Sequence, residues 1–534
     1  MQTLGRRAPG LTLGLLALLY TALTAYLIGG RTAFPWDFLL WSESSFMTNM
    51  LKLDQGLPVF SPAAEVNSFV YSPGLEYLCY AVLSPWGLHL DARYCRLISV
   101  LLCVGSSLLI AGCIIWSSRA VRGKSGPADW SILAVCVSLL LTFRNFTAGI
   151  LHADNLYIFH ALLTLALCAA ALNTKKFGLA LLATAVAGLG ILTKQTAALS
   201  IAGALGALLA GHRWGKPKSA VLIAAGMAVA AAAFLVLYLP PDSRFHAFEL
   251  LASQHVYSRK LAQLILRDLN IDPHRFALIL LAIPAALLAL RTQHQGYRAF
   301  LIAWVFIGCF EAVPAMAGYF KTNGARNNLG IIDLWLFMLV WPWFSYRSQP
   351  PASADPPTPP GFSLVLTLFF VVALTPIQLA PPTFFRDLVL EFPPPQFRVI
   401  KAHYQYSENY EKSVGEDLKK GLRVLVPHGT VILTRNGVRE IPLDRINSAL
   451  ELVAADKTEL GGTLERIRSQ YYDRIYLPDD FFFSESWYGP EVEQEIESKY
   501  HLVDKLPDPN EFDDRGYNIG LAMMVKIKIL EPSR

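Results

Sequence analysis

The feature that most constrains this chain is a series of apolar runs, each near the length needed to cross a membrane. At 1.5 Å rise per residue, a spanning helix needs roughly 17–25 apolar residues. Such runs cover residues 11–29, 97–117, 130–143, 155–172, 177–192, 195–210, 219–239, 276–290, 299–317, 330–346 and 361–380. The fold class that follows is a polytopic α-helical membrane protein of about eleven spans. Composition agrees, with 53% hydrophobic and 16% charged residues, against about 25% charged in ordinary soluble domains. The first run follows Arg6 and Arg7 and has no clean small-x-small cleavage site behind it. It reads as a retained helix rather than a signal peptide.

The charges divide the chain in two. Residues 1–380 hold 26 Lys+Arg against 15 Asp+Glu, and residues 381–534 hold 20 against 26. The first part is an apolar, basic membrane domain and the second a polar, acidic domain. The small net charge of +5 gives no reason to expect a nucleic-acid partner. All seven cysteines lie before residue 310 without zinc-type spacing, which suits small buried hydrophobes.

Basic loops mark the cytoplasmic side. Arg6/Arg7, Arg119–Lys124, Lys175/Lys176, His212–Lys218, Arg291–Arg298 and Arg347 all fall there if the chain crosses eleven times. The N-terminus is then cytoplasmic and the acidic tail extracytoplasmic. The segment Gly74–Leu88 is apolar but short and contains Pro85. A crossing there would invert every later loop, so it reads as interfacial or re-entrant.

The outer side then receives four polar clusters, and charged groups at a membrane rim are costly enough to be site candidates. The first outer loop, residues 30–96, carries Asp37, Glu43, Asp54 and Glu65. Around Glu43, Phe46, Met50 and Leu53 recur at helical spacing, which predicts a helix lying on the membrane. The segment RNFTAGILHADN supplies Arg144, His152, Asp154 and Asn155, with Asp154 either an N-cap or a functional acid. LGILTKQTAAL places Lys194 and Gln195 at the tip between two helices of about 16 residues, too short to span comfortably. GYFKTNGARNNLG adds Lys321, Arg326, Asn327 and Asn328. Each alone has a structural explanation, as a cap, a snorkelling cation or a polar hairpin. Together, an acid on one loop and donors on the others suit proton abstraction from a hydroxyl and stabilisation of a departing phosphate.

This order of segments resembles the GT-C superfamily of integral-membrane glycosyltransferases, and within it the bacterial, family-39-like branch of protein mannosyltransferases and the aminoarabinose transferase of lipid A. The resemblance covers about residues 1–380. The acid of the first outer loop matches Glu43, thirteen residues before the Gly of DQG, with Asp37 as runner-up. The aromatic-Pro element is FVYSPGLEY, with Tyr71 and Pro73; it lacks the usual Pro-Pro pair. An Arg opening a span matches Arg96, an acid at a span's outer end matches Asp154, and an L-T-K element matches Leu192-Thr193-Lys194. Lys321, Gly324 and Asn327 resemble a K-x-G-A-x-N turn.

The resemblance implies an inverting glycosyltransferase that uses a polyprenyl-phosphate sugar as donor. The acceptor would be a lipid-, glycan- or protein-linked hydroxyl. Glu43, Asp37 and Asp154 are then the catalytic candidates. Tyr71, Arg144, His152, Asn155, Lys194, Gln195, Lys321, Arg326, Asn327 and Asn328 are the substrate-binding candidates. No ligand cluster calls for a metal or another cofactor, although a carboxylate pair could hold a divalent ion weakly. The alternative reading is a transporter or flippase of a lipid-linked glycan, whose usual signs are an internal repeat and midplane charges.

Residues 381–534 predict a small extracytoplasmic α/β domain. A strand-like run with a Pro-His-Gly turn inside it is expected at Arg423–Leu433, strands at Arg474–Leu477, His501–Leu506 and Leu521–Ile529, and helices at 444–455, 461–470 and Pro490–Tyr500.

Overall fold

A computed structural model describes residues 28–37, 43–62, 67–122, 149–253, 295–321, 329–347, 395–427, 429–443, 462–478, 488–506 and 527–533, with isolated positions in 22–25 and 279–287. The expected spans at 130–143 and 361–380, nearly all of 11–29 and most of 276–290 lie outside these residues.

Four described helices are long and apolar enough to cross a membrane: Ala92–Ser117, Ala153–Thr174, Lys216–Tyr238 and Gln295–Phe320. They lie where runs 97–117, 155–172, 219–239 and 299–317 predict them. We label the helices α1 (Glu43–Asp54), α2 (Gly74–Leu83), α3 (Ala92–Arg122), α4 (Ala153–Thr174), α5 (Phe177–Gly188), α6 (Ser200–Gly211), α7 (Lys216–Tyr238), α8 (Gln295–Phe320) and α9 (Gly330–Arg347).

Local chemistry sets the ends. His152, extended at φ −145°, caps α4 by accepting the Asp154 N–H on Nδ1, and Lys175 ends α4 in the left-handed region at φ 55°. Gly215 (φ 81°) followed by Pro217 in the first turn starts α7. The helices pack through small residues, as membrane helices do. A Cβ at Gly206 would come within 2.6 Å of the Phe306 ring, and one at Gly203 within 3.0 Å of Ile307 Cα. The Phe306–Gly203 neighbours and those of Gly211, which faces Ile302, show that α6 and α8 run antiparallel. Gly105 faces the ring of Phe159, and the Cys103 thiol donates to Asn155, so α3 and α4 run in the same direction. The starts of α3, α4 and α6 and the end of α8 therefore share one end of the bundle.

The chain between α5 and α6 is broken. Lys194 is extended (φ −163°, ψ 145°) between the turn Gly190–Thr193 and the 3₁₀ turn Gln195–Leu199. At 12 residues each, α5 and α6 reach only about 18 Å, so their junction lies within the protein, with Lys194 buried.

α1 forms where its apolar spacing predicts, but its surroundings differ from the expected membrane surface. Every residue from Glu43 to Lys52 is buried. The polar face is covered by protein: Thr48 hydrogen-bonds Thr430 at 2.9 Å, and the Asn49 amide donates to Glu76 at 3.0 Å. α2 has 10 residues, about 15 Å, half a hydrocarbon core. It ends at the turn Ser84–Trp86, where Trp86 is 76% exposed.

Beyond residue 394, helix α10 (Pro395–Lys419) leads into strand β1 (Val424–Leu425), α11 (Thr430–Arg435), α12 (Thr463–Arg468), β2 (Arg474–Pro478), α13 (Pro490–Lys499), β3 (Tyr500–Lys505) and β4 (Ile527–Pro532). The sheet order is β1-β2-β4-β3; β1 and β2 pair parallel, and β4 pairs antiparallel with both β2 and β3. Arg423–Leu433 is not one strand: residues 430–435 are helical. Their Val, Ile and Thr side chains favour strands locally, but the helix lets Thr430 and Val431 pack against α1, and tertiary contact overrides propensity. The predicted helix 444–455 lies outside the described residues.

This region shares its cores with the first part of the chain. Phe34, Trp36 and Ile150 pack with Tyr406, Tyr410 and Tyr476, and Val70 and Leu250 pack with Leu425, Ile475 and Tyr488. The sheet region thus packs over Phe34, Trp36, Val70 and Ile150 at one end of the helices.

Candidate functional site

Under that cover, buried polar groups form two adjoining clusters. The first is built on Arg96, near the start of α3. Its Nε donates to Glu43 Oε1 at 2.8 Å and its Nη2 to Oε2 at 2.6 Å, with both side chains fully buried. The planar guanidinium matches a carboxylate bidentately. Arg96 also donates to the backbone carbonyls of Arg31 (3.3 Å), Phe34 and Trp36. Glu43 Oε1 takes a third bond, from the Leu151 N–H at 3.0 Å. Glu43 is thereby a structural and electrostatic hub whose two oxygens are engaged.

Asp37 sits beside this pair. Its Oδ2 accepts the Ser44 N–H at 2.7 Å, the place of a carboxylate at a helix start. Its Oδ1 meets no hydrogen-bond donor among the described residues. Burial first, and then the neighbouring Glu43 carboxylate, push the Asp37 carboxyl well above the usual range, against smaller opposing effects of Ser44 and Arg96. Burial makes the ionised Asp37 carboxylate a stronger base, and Oδ1 is its oxygen that meets no donor among the described residues.

The second cluster begins one residue after Leu151. Asp154 Oδ1 holds Lys194 Nζ at 2.5 Å, both buried. His152 Nδ1, which accepts the Asp154 N–H at 3.2 Å, lies 3.4 Å from Asp154 Oδ2. The rings of Tyr71 and Tyr157 flank the ammonium, their centroids 5.5 and 5.7 Å from Nζ, within cation–π reach. The rings of Tyr71 and His152 are 5.8 Å apart, and Gln195 donates to the Val70 carbonyl at 2.6 Å. These contacts bring Tyr71, His152, Asp154, Lys194 and Gln195 together from three chain segments. Asn155 serves the local turn, donating to the Ile150 carbonyl at 3.0 Å.

Lys321 follows α8 and is half-buried; the antiparallel packing of α6 and α8 puts it at the same end as Lys194. Arg144, Arg326, Asn327 and Asn328 lie outside the described residues. Among the described residues no three His, Cys, Asp or Glu side chains converge as ligands for a metal ion.

Three buried charges join the site without having been weighed in the sequence. Glu311, inside α8, accepts from Tyr157 Oη at 2.7 Å and Ser200 Oγ at 2.5 Å. A lone carboxylate inside an apolar run is the signal that could have found it. Glu76 is buried in α2 and held by Asn49; burial raises its carboxyl to about 7. Lys52 donates to Ser61 Oγ at 2.7 Å and to the carbonyls of Val59 and Asn67 at 3.0 and 3.1 Å, pinning the loop that leads to Tyr71.

In comparison with known proteins, the chain matches no protein-family model and no curated protein.

Proposed function

We propose that this protein is an integral-membrane glycosyltransferase that moves a sugar from a polyprenyl-phosphate donor to a hydroxyl of a lipid, glycan or protein. The observation that carries this reading is that one end of the helices holds a buried acid with an oxygen that meets no donor among the described residues (Asp37) and, linked through Glu43 and the Leu151–His152 segment, a buried cation framed by an acid and two aromatic rings (Lys194, Asp154, Tyr71, Tyr157). A donor with a long apolar tail would remain among the helices while its phosphate reaches this end.

In the reaction, Asp37 accepts the proton of the acceptor hydroxyl. The oxygen attacks the anomeric carbon, the bond from that carbon to the phosphate oxygen breaks, and the configuration inverts. Lys194 stabilises the charge on the departing lipid phosphate, and Asp154 orients Lys194. Glu43 and Arg96 hold the segment that carries Asp37. Lys321 and, from the sequence pattern, Arg144, Arg326, Asn327 and Asn328 would complete the donor site. The protein would sit in a bacterial cytoplasmic membrane, with eleven spans, a cytoplasmic N-terminus, and the sheet region as an outer domain over the site.

One observation favours transport as the second reading: Glu311 lies within a span, bound to Tyr157 and Ser200, as groups on an ion or substrate path do. The test is purified protein in sealed vesicles with a polyprenyl-phosphate sugar. Transferase activity yields glycosylated acceptor and free polyprenyl phosphate. Movement of intact donor between leaflets, without product, would replace this reading with transport.

A further inference from the structure

The sheet region does more than cover the site: it grips the residue next to Asp37. Trp36 is held from both sides. Its carbonyl accepts from Arg96 within the bundle, and its indole Nε1 donates to Glu411 Oε2 of α10 at 2.7 Å. Glu411 is itself fixed by Arg435 of α11, whose Nε and Nη2 reach Oε1 and Oε2 at 2.9 and 3.2 Å. The Arg435 guanidinium also lies over the Trp36 ring, 5.4 Å from its centroid. Tyr404, about two turns before Glu411 on the same face of α10, packs edge-on against both Phe34 (5.0 Å) and Trp36 (5.6 Å). The contact spans 375 residues of sequence, and its parts come from three separate elements.

The neighbouring residue then has little freedom. Asp37 follows Trp36 directly, and its own Oδ2 is tied to Ser44. The Trp36 carbonyl held by Arg96, its indole held by Glu411 and the Asp37 carboxylate tied to the Ser44 N–H together set where the Asp37 carboxyl sits. Without the Glu411 contact, the indole N–H loses its hydrogen bond and Trp36 keeps only ring contacts with the sheet region.

We infer that Glu411 is a positioning residue for Asp37, acting through the Trp36 indole, so that the sheet region contributes to the site from outside the membrane helices. This inference rests on the transferase reading for its catalytic consequence, but the grip itself is measurable without any reaction.

The experiment compares full-length wild type, Glu411→Ala and Glu411→Gln in detergent micelles. Amide hydrogen exchange reads the grip and sugar transfer reads its consequence. Loss of a charge-assisted bond speeds local opening by about tenfold. In Glu411→Ala, exchange at residues 34–37 is expected to rise by that factor while β2 and β4 keep wild-type protection, and kcat is expected to fall without a change in donor KM. Glu411→Gln keeps an oxygen for the indole N–H and is expected to recover most of both losses. Unchanged exchange at 34–37 in Glu411→Ala would overturn the inference. So would a uniform loss of protection across β2 and β4, which would make Glu411 a general stabiliser of the sheet region. If exchange rises as expected but wild type transfers no sugar, the grip is established and the catalytic role falls with the transferase reading.

Discussion

Replacing Arg96 by Met probes the centre of the arrangement. The change keeps an unbranched apolar stem and removes every donor. Two of those donors serve Glu43 at 2.8 and 2.6 Å, in a pair with no solvent exposure on either side chain. Hydrogen bonds to charged groups contribute about 1.5–3 kcal/mol each. Breaking a buried ion pair from one side costs about 3–5 kcal/mol, because the remaining charge stays buried. The Phe34, Trp36 and Arg31 carbonyls also lose a donor, which puts the expected loss toward the upper part of that range. The assay is reversible unfolding in mixed micelles, run as a double-mutant cycle with Glu43→Gln. Removing the stranded charge is expected to restore about 2 kcal/mol in the double variant, a coupling well above the additivity error for distant sites. An Arg96→Met loss under about 1 kcal/mol, or a cycle that is additive within about 0.5 kcal/mol, would refute the view that this pair organises the loop.

Three further outcomes are expected elsewhere. Lys194→Gln removes the cation that Asp154 orients, so sugar transfer is expected to fall about 10²–10³-fold, with the Asp154→Asn/Lys194→Gln double variant folding better than Lys194→Gln alone, as thermal stability will show. Glu76 holds its proton more tightly folded (about 7) than unfolded (4.5), so the folded state binds more protons between these values and stability falls as pH rises through that window; Glu76→Gln is expected to flatten the profile measured from pH 4 to 8. A Cβ at Gly308 would run into the Trp335 indole, which donates to the Trp304 carbonyl at 2.9 Å while Trp304 donates back to Trp335 at 2.9 Å. Gly308→Ala is expected to cost about 1–3 kcal/mol in the same unfolding assay.

The long apolar helices were legible in the sequence because a lipid core imposes a length that few other structures need. The break at Lys194 was legible for the same reason, since two runs of about 16 residues fall short of that length. α1 was legible from the spacing of Phe46, Met50 and Leu53. Its full burial was not, because Thr48 and Asn49 look solvent-facing until Thr430 and Glu76 arrive from distant segments. α10 was not legible either. It begins in a proline-rich stretch, and its aromatic residues (Tyr404, Tyr406, Tyr410) find a surface only in Phe34 and Trp36, distant in sequence.

The site was legible as a set of polar segments and not as a set of pairs. Asp154 and Lys194 stood out because each is a charge beside an apolar run. Their pairing depends on the packing of α4 against the junction before α6. Glu43 stood out as an acid at a helix start. Arg96, its partner 53 residues later, and the Leu151 N–H engage both Glu43 oxygens with three bonds, which is why the proposal gives proton abstraction to Asp37.

The central claim is that Asp37 takes the proton from an acceptor hydroxyl while a polyprenyl phosphate departs. The most direct measurement is the single-turnover rate of sugar transfer from a polyprenyl-phosphate donor by purified wild type, Asp37→Asn and Glu43→Gln, with donor binding measured in parallel. Asp37→Asn is expected to bind donor normally and to transfer about 10²–10⁴-fold more slowly. Wild-type transfer rates in the Asp37→Asn variant, or in one that carries Glu43→Gln as well, would contradict it.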